Sequence, residues 1–294
     1  MFYIGKKAGE TMVETSLMSL AIEAYQRLLP ELKLKQNVKA SPVDQPEPWN
    51  LAPLMQLPTV GQTLYAIKPV PYQSILIGAC EDGLPFLLDL AQPSAGPVLV
   101  TGDAKCGKTH QMKVMVESAL RLASPREIQI GIVTGHPDEW DDLFDPYQRV
   151  KQSLGVFTWD SDALATLISS LADLVEARFT GKRNGPVVLL MVEDLSKVET
   201  LETSCQMTLH WLLENGPQVG VWAIASVQAD QAVTLPYWVS VFRTRLFGRI
   251  SSPELAGQLA VYPGLEAEQL VSGSEFCTRL EKSWMPYWVP ESGD

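Results

Sequence analysis

The run Val98–Thr109, VLVTGDAKCGKT, satisfies the spacing G-x-x-x-x-G-K-[S/T] at every fixed position: Gly102, Gly107, Lys108 and Thr109. Polyphosphate binding requires these residue types in this order. Glycines at the two ends let the backbone curl closely around the phosphates. Lys108 is the cation for the β and γ phosphates and Thr109 the hydroxyl for Mg2+, while a helix starting there aims its N-terminal amides at the anion. Gly102, Asp103, Ala104, Lys105, Cys106, Gly107, Lys108, Thr109 and the following His110 are therefore the candidate nucleotide-binding residues, and ATP with Mg2+ is the implied ligand. Within the loop, Asp103 and Lys105 are expected to face solvent and Cys106 to be a small inert thiol. His110 reads as an ordinary helix-surface residue.

Hydrolysis needs more than binding: an acid for the metal and a carboxylate to align water. The apolar run Val187–Val192 ends in Glu193-Asp194 and supplies both. On this reading Glu193 joins Thr109 as a metal ligand and Asp194 positions the water. The order is the reverse of the commoner Asp-Glu pair, so Asp194 has one methylene less reach and turnover is expected to be reduced. The alternative is a strand that merely ends in two solvated acids. Gln228 closes another apolar run, Gly220–Val227, which puts its amide near the same sheet edge, where it can orient water or report the γ-phosphate. Arg243 and Arg245 fall on one face of an expected strand Val241–Ile250, and Arg249 returns to it at the same parity. Ordinary salt bridges are the plainer use for these arginines.

These residues must be carried by an alternation of strands and helices. Ile75–Leu90 reads as a hairpin around Glu81-Asp82-Gly83. His110–Leu122 places Met112, Met115, Val116, Ala119 and Leu120 at helical spacing. Glu127–Thr134 and Gly155–Trp159 read as strands, Asp160–Phe179 as an amphipathic helix, and Met207–Leu213 as a helix. The alternation predicts an α/β fold: a mostly parallel sheet with helices on both faces and ligands at the carboxyl edge of its strands. Upstream, Thr11–Leu29 has the apolar stripe of a helix stopped by Pro30. Ser41–Pro58 is proline-rich, an extended arm that Trp49, Leu51 and Leu54 would pin to a surface. The expected organisation is residues 1–62 as N-terminal helix and arm, and 63–294 as the nucleotide-binding domain.

The 294 residues carry 23 basic and 34 acidic side chains, a net charge of −11, which argues against a surface broadly adapted to nucleic acid. A local basic patch is still allowed. Cys80, Cys106, Cys205 and Cys277 have neither disulfide nor metal-ligand spacing. With no signal peptide and no long apolar run, the chain is expected to be soluble, cytoplasmic and without membrane insertion.

Taken together, the phosphate loop, the acid pair and their flanks resemble the motor domain of FtsK/SpoIIIE-type translocases, in the FtsK–HerA group of P-loop ATPases, over roughly residues 75–280. Ile77-Gly78 with Gly83 and Leu88-Asp89-Leu90-Ala91 is similar to the family's lead-in. Glu176-Ala177-Arg178-Phe179 is similar to its acid–x–Arg–aromatic helix end, and Ser226-Val227-Gln228 to its γ-phosphate-sensing strand. Phe242–Ser252 resembles its arginine strand, and Leu270-Val271-Ser272-Gly273 with Phe276 its closing segment. The resemblance implies a RecA-like fold and a ring-forming homo-oligomer, a hexamer, that translocates double-stranded DNA. It also implies an arginine, Arg249 or Arg245, delivered to a neighbour's nucleotide. Arg178, Lys182 and Arg183 would line a pore or form a solvated loop. A protein-substrate motor of secretion type is the first competitor, and a nucleotide-bound structural or regulatory subunit with little turnover the second.

Overall fold

In the computed structural model the described residues are 57–65, 73–143 and 150–293, all within one compact unit, Leu51–Asp294. The expected helix Thr11–Leu29 and the pinning residues Trp49, Leu51 and Leu54 lie outside them. A short helix α1 (Val60–Tyr65) precedes the hairpin β1 (Ser74–Ala79) and β2 (Pro85–Asp89). Its turn is the expected one: Gly83 has φ 79°, its N–H donates to Cys80 O, and Asp82 Oδ1 accepts from Leu84 N–H.

Next comes β3 (Val98–Gly102), buried along its whole length, and α2 (Lys108–Leu122). Strand β4 (Ile128–Val133) is followed by a 3-10 turn, Pro137–Leu143, then by β5 (Ser153–Phe157) and α3 (Asp162–Phe179). Ser161 caps α3 by accepting the Ala163 N–H. The wholly apolar β6 (Val187–Val192) runs into a 3-10 turn, Leu195–Thr200, and α4 (Thr203–Asn215). Beyond it lie β7 (Val221–Gln228), two one-turn helices α5 (Ala229–Ala232) and α6 (Pro236–Val239), β8 (Thr244–Phe247) and α7 (Pro253–Leu259). The hairpin β9 (Glu275–Leu280) and β10 (Ser283–Trp288) closes the fold.

Among the described residues these strands form one ten-stranded sheet, ordered β2-β1-β10-β9-β8-β3-β7-β6-β4-β5. From β8 to β5 every pairing is parallel, and from β9 outward every pairing is antiparallel. The mostly parallel RecA-like sheet with helices on both faces is thus observed. Val188, Leu190 and Val192 of β6 and Val221, Ala223, Ala225 and Val227 of β7 pack with α3 and α4 in one apolar core. The intervening residues point the other way, toward the face where α2 lies on β1, β3, β4 and β7.

Two departures from the sequence reading matter. The expected strand Val241–Ile250 shrinks to Thr244–Phe247, so Arg243 and Arg249 fall outside it and the shared arginine face is not formed. The closing hairpin, unread as strands, inserts between β1 and β8. Its Pro286 is tolerated because β10 meets β1 only at Trp288–Ala79 and needs no N–H there.

Gly78 permits this insertion. A Cβ there would lie 2.4 Å from Tyr287 Cδ2 and 2.6 Å from the Trp288 carbonyl. The Tyr287 ring is fully buried, its hydroxyl has no partner among the described residues, and burial holds its pKa well above the usual tyrosine value. Gly78→Ala is expected to cost about 1–3 kcal/mol by overpacking. Tyr287→Phe, which removes an unsatisfied buried hydroxyl, should be neutral or stabilising. Urea denaturation of the two variants checks both signs.

Candidate nucleotide and metal site

Strand β3 delivers the loop from the middle of the sheet, between β7 and β8. Close contacts press on both glycines that the loop spacing fixes. A Cβ on Gly107, whose φ is 98°, would lie 2.7 Å from the Gly273 carbonyl, and one on Gly102 would lie 2.6 Å from Cys106 Sγ. Three ties hold the loop to the chain's later segments. Asp103 N–H donates to Arg249 O at 2.8 Å, Ser251 donates through N–H (2.8 Å) and hydroxyl (2.7 Å) to Asp103 Oδ2, and Gly273 N–H donates to Cys106 O at 3.1 Å. Asp103 therefore does not simply face solvent as expected; its carboxylate fastens the loop. Lys105 is exposed, at φ 62°.

Lys108 reaches back across the loop, donating from Nζ to the carbonyls of Gly102 (3.1 Å) and Asp103 (2.7 Å). The Cys106 thiol is fully buried, and that burial pushes its pKa up in spite of the neighbouring ammonium. His110 donates from Nε2 to the Pro290 carbonyl at 2.9 Å, and burial lowers its pKa. It is a half-buried anchor for the chain's end rather than a surface residue.

Glu193 stands at the carboxyl end of β6 and is 8% exposed. Buried carboxylates need donors, and this one gathers them from three elements. Thr109 Oγ1 at the start of α2 donates to Oε1 at 2.5 Å. Thr134, just past β4, donates its hydroxyl to Oε2, and Trp140 on the 3-10 turn donates its indole N–H to the same oxygen at 3.0 Å. The Glu193 main chain is held as well, its N–H by Val133 O at 2.7 Å and its carbonyl by the Trp159 indole at 3.0 Å. Thr109 and Glu193 thus stand together as the metal reading requires. A hydroxyl and one carboxylate are hard oxygen donors that suit Mg2+, which takes few protein ligands and completes its shell with phosphates and water. Thr134, Trp140 and Trp159 escaped sequence reasoning; a threonine ending a strand and a tryptophan in HPDEWDDLF are weak signals alone.

Asp194 caps the turn Leu195–Thr200 from a left-handed backbone, φ 61°. Its Oδ1 accepts both the N–H and the hydroxyl of Ser196, while its own N–H donates to Ser226 Oγ at 3.2 Å. Both Ser196 bonds fall on Oδ1, and Oδ2 has no hydrogen bond among the described residues. Gln228 pairs in register with Gly102, directly beside the loop.

The arginines divide. Arg245 is spent internally: Nη1 donates to Leu259 O at 2.7 Å, Nη2 to Val239 O at 3.0 Å and Nε to Phe242 O at 3.4 Å, and burial lowers its pKa. Arg249 is exposed, with no side-chain partner among the described residues. Arg178 clasps the opposite edge of the sheet, donating to the carbonyls of Pro186, Val219 (2.8 Å) and Gly220 (3.1 Å) at the entries to β6 and β7. Lys182 and Arg183 beside it are exposed. The only members of this basic trio turned to solvent are therefore these two, far from the loop along the strands.

No protein-family model and no curated protein matches the chain. Solved structures do. Thermomonospora curvata EccC (ATPases 2 and 3), in complex with a signal sequence peptide, matches at TM-score 0.62 and 17% identity over 96% of this chain and 50% of that one. EssC (ATPases 2 and 3) from Geobacillus thermodenitrificans matches at TM-score 0.63 and 13% identity, over 97% and 52% of the two chains. The pCW3 conjugation coupling protein TcpA, with ATPγS, matches at TM-score 0.60 and 14% identity over 92% and 82%. The chain spans about half the length of the two ATPase 2 and 3 structures. At these identities the likeness is one of fold: the chain shares the fold of these ATPase and coupling-protein domains, as the sequence resemblance leads one to expect.

Arg245→Ala should lower stability by roughly 1–3 kcal/mol, because buried carbonyls lose their donor. Arg249→Ala should change it by less than about 0.5 kcal/mol. Equal losses in urea melts would show that the two arginines are not divided in this way.

Proposed function

We propose that the chain is a Mg2+-dependent P-loop ATPase acting as the motor unit of a ring. The observation that carries this reading is the 2.5 Å contact between Thr109 and Glu193 at the mouth of a complete phosphate loop. Lys108 and the loop amides would neutralise phosphate charge, and Thr109 with Glu193 would hold Mg2+, which would supply further charge neutralisation. Asp194, through Oδ2, aligns the attacking water, and Ser196 fixes the carboxylate by its two bonds to Oδ1. Gln228 lies beside the loop to sense the γ-phosphate. Arg249 is the cation available for a neighbouring subunit's nucleotide, in a homo-oligomer expected to be hexameric.

Two cargo classes fit such a motor. Double-stranded DNA is supported by the FtsK/SpoIIIE resemblance. A protein cargo is supported by the net charge of −11, by the internal use of Arg178 and Arg245, and by the fold shared with EccC, solved with a signal sequence peptide. A low-turnover, nucleotide-bound subunit is a further reading, favoured by the short Asp194 and its capping bonds.

The deciding measurement is ATP turnover with and without linear duplex DNA or an unstructured peptide. Lys108→Ala should abolish turnover, and Asp194→Ala should lower it by about 10²-fold or more. Unchanged turnover in Asp194→Ala would reject the water-aligning role, and no turnover in the unaltered protein would leave the low-turnover reading standing. Stimulation by DNA that weakens steeply with salt identifies the DNA motor, because phosphate contacts release counterions. Stimulation by peptide alone identifies the protein motor.

A further inference from the structure

We propose that Trp140 and Thr134 are positioning residues that set how Glu193 meets Mg2+, an inference that rests on the ATPase reading. The starting point is the length of the acid. A glutamate at the metal position has one more rotatable bond than aspartate, and its terminal torsion is broad, so an unrestrained Glu193 would present either oxygen at many angles. Here the choice is made by the surroundings. Oε2 takes the Thr134 hydroxyl and the Trp140 indole N–H, leaving Oε1 alone to face Thr109.

Both donors are themselves fixed. Trp140 and Thr134 are fully buried. The Thr134 oxygen accepts the His136 N–H at 3.0 Å, which turns its single proton toward Glu193. An indole N–H only donates, so neither it nor the hydroxyl competes for the cation; together they saturate one oxygen and orient the other. The Trp159 indole and the Val133 carbonyl fix the Glu193 main chain in the same way. The extra methylene of Glu193 thus reaches a clamp that a shorter acid would not span while keeping Thr109.

The test is binding of a fluorescent N-methylanthraniloyl-ATP by the full chain, in EDTA and then across a MgCl2 titration. Trp140→Phe should bind the nucleotide in EDTA as tightly as the unaltered protein, because the loop and Lys108 are untouched. It should need roughly 10- to 100-fold more MgCl2 for the metal-dependent tightening, the usual effect of losing a partner of a metal ligand. Thr134→Val should behave likewise and Thr134→Ser, which keeps the donor, like the unaltered protein. Glu193→Asp should also require more MgCl2, although aspartate is the commoner metal acid. Unshifted MgCl2 midpoints in Trp140→Phe and Thr134→Val would overturn the positioning role. Absence of any Mg2+ effect in the unaltered protein would overturn the ATPase reading itself. Should Trp140→Phe lose its fold by circular dichroism, the contrast between Thr134→Val and Thr134→Ser decides the matter.

Discussion

A buried carboxylate is the constraint around which the nucleotide edge of the sheet is arranged. Glu193 is almost out of reach of water, and without donors its charge would be costly there. The donors come from α2, from the end of β4 and from the turn that follows it, while the main chain is tied to Val133 and Trp159. Satisfying one acid therefore fixes the relative positions of the carboxyl ends of β3, β4, β5 and β6. For the proposed phosphate and cation site, this means that its protein groups are held in place by one another.

Much of this was legible in the sequence because it is local. The phosphate loop is contiguous, and its strand-loop-helix setting followed from the apolar runs on either side. Strands β4, β6 and β7 were readable as buried apolar segments, and Gln228 fell where a strand had to end. Arginine parity was misleading for a physical reason. Alternation assigns faces only while the backbone stays extended, and β8 stops at Phe247, so Arg249 leaves the face on which Arg245 lies. The indoles around Glu193 were not legible, since their meaning arises only when Pro137–Leu143 is folded against the end of β6. The closing hairpin was hidden by Pro286 and by charged residues at its turn, features that ordinarily argue against a strand.

The charge pattern also reads differently in three dimensions. A net charge of −11 sits on the chain, and two of its arginines are withdrawn from the surface, Arg178 into carbonyls at one edge of the sheet and Arg245 into carbonyls beneath α6 and α7. These guanidiniums act as multidentate clasps for backbone carbonyls at the ends of strands and helices. Arg249, Lys182 and Arg183 are exposed, and they lie at opposite ends of the strands.

The place of β10 in the sheet has a consequence for how the fold is reached. The hairpin β1–β2 holds the first two strands of the described chain, yet within the sheet it is paired to the parallel strands only through β9 and β10, which are the last two. Until those strands are present, Gly78 has no aromatic ring to receive, and the edge of β8 that they will cover stays unpaired. The pairing of β1 with β10, Ala79 with Trp288, is one of large sequence separation, and such contacts form slowly because the loop-closure entropy is lost before they contribute. The phosphate loop is likewise tied by Gly273 to Cys106 O, so its final shape depends on a segment near the far end of the described chain.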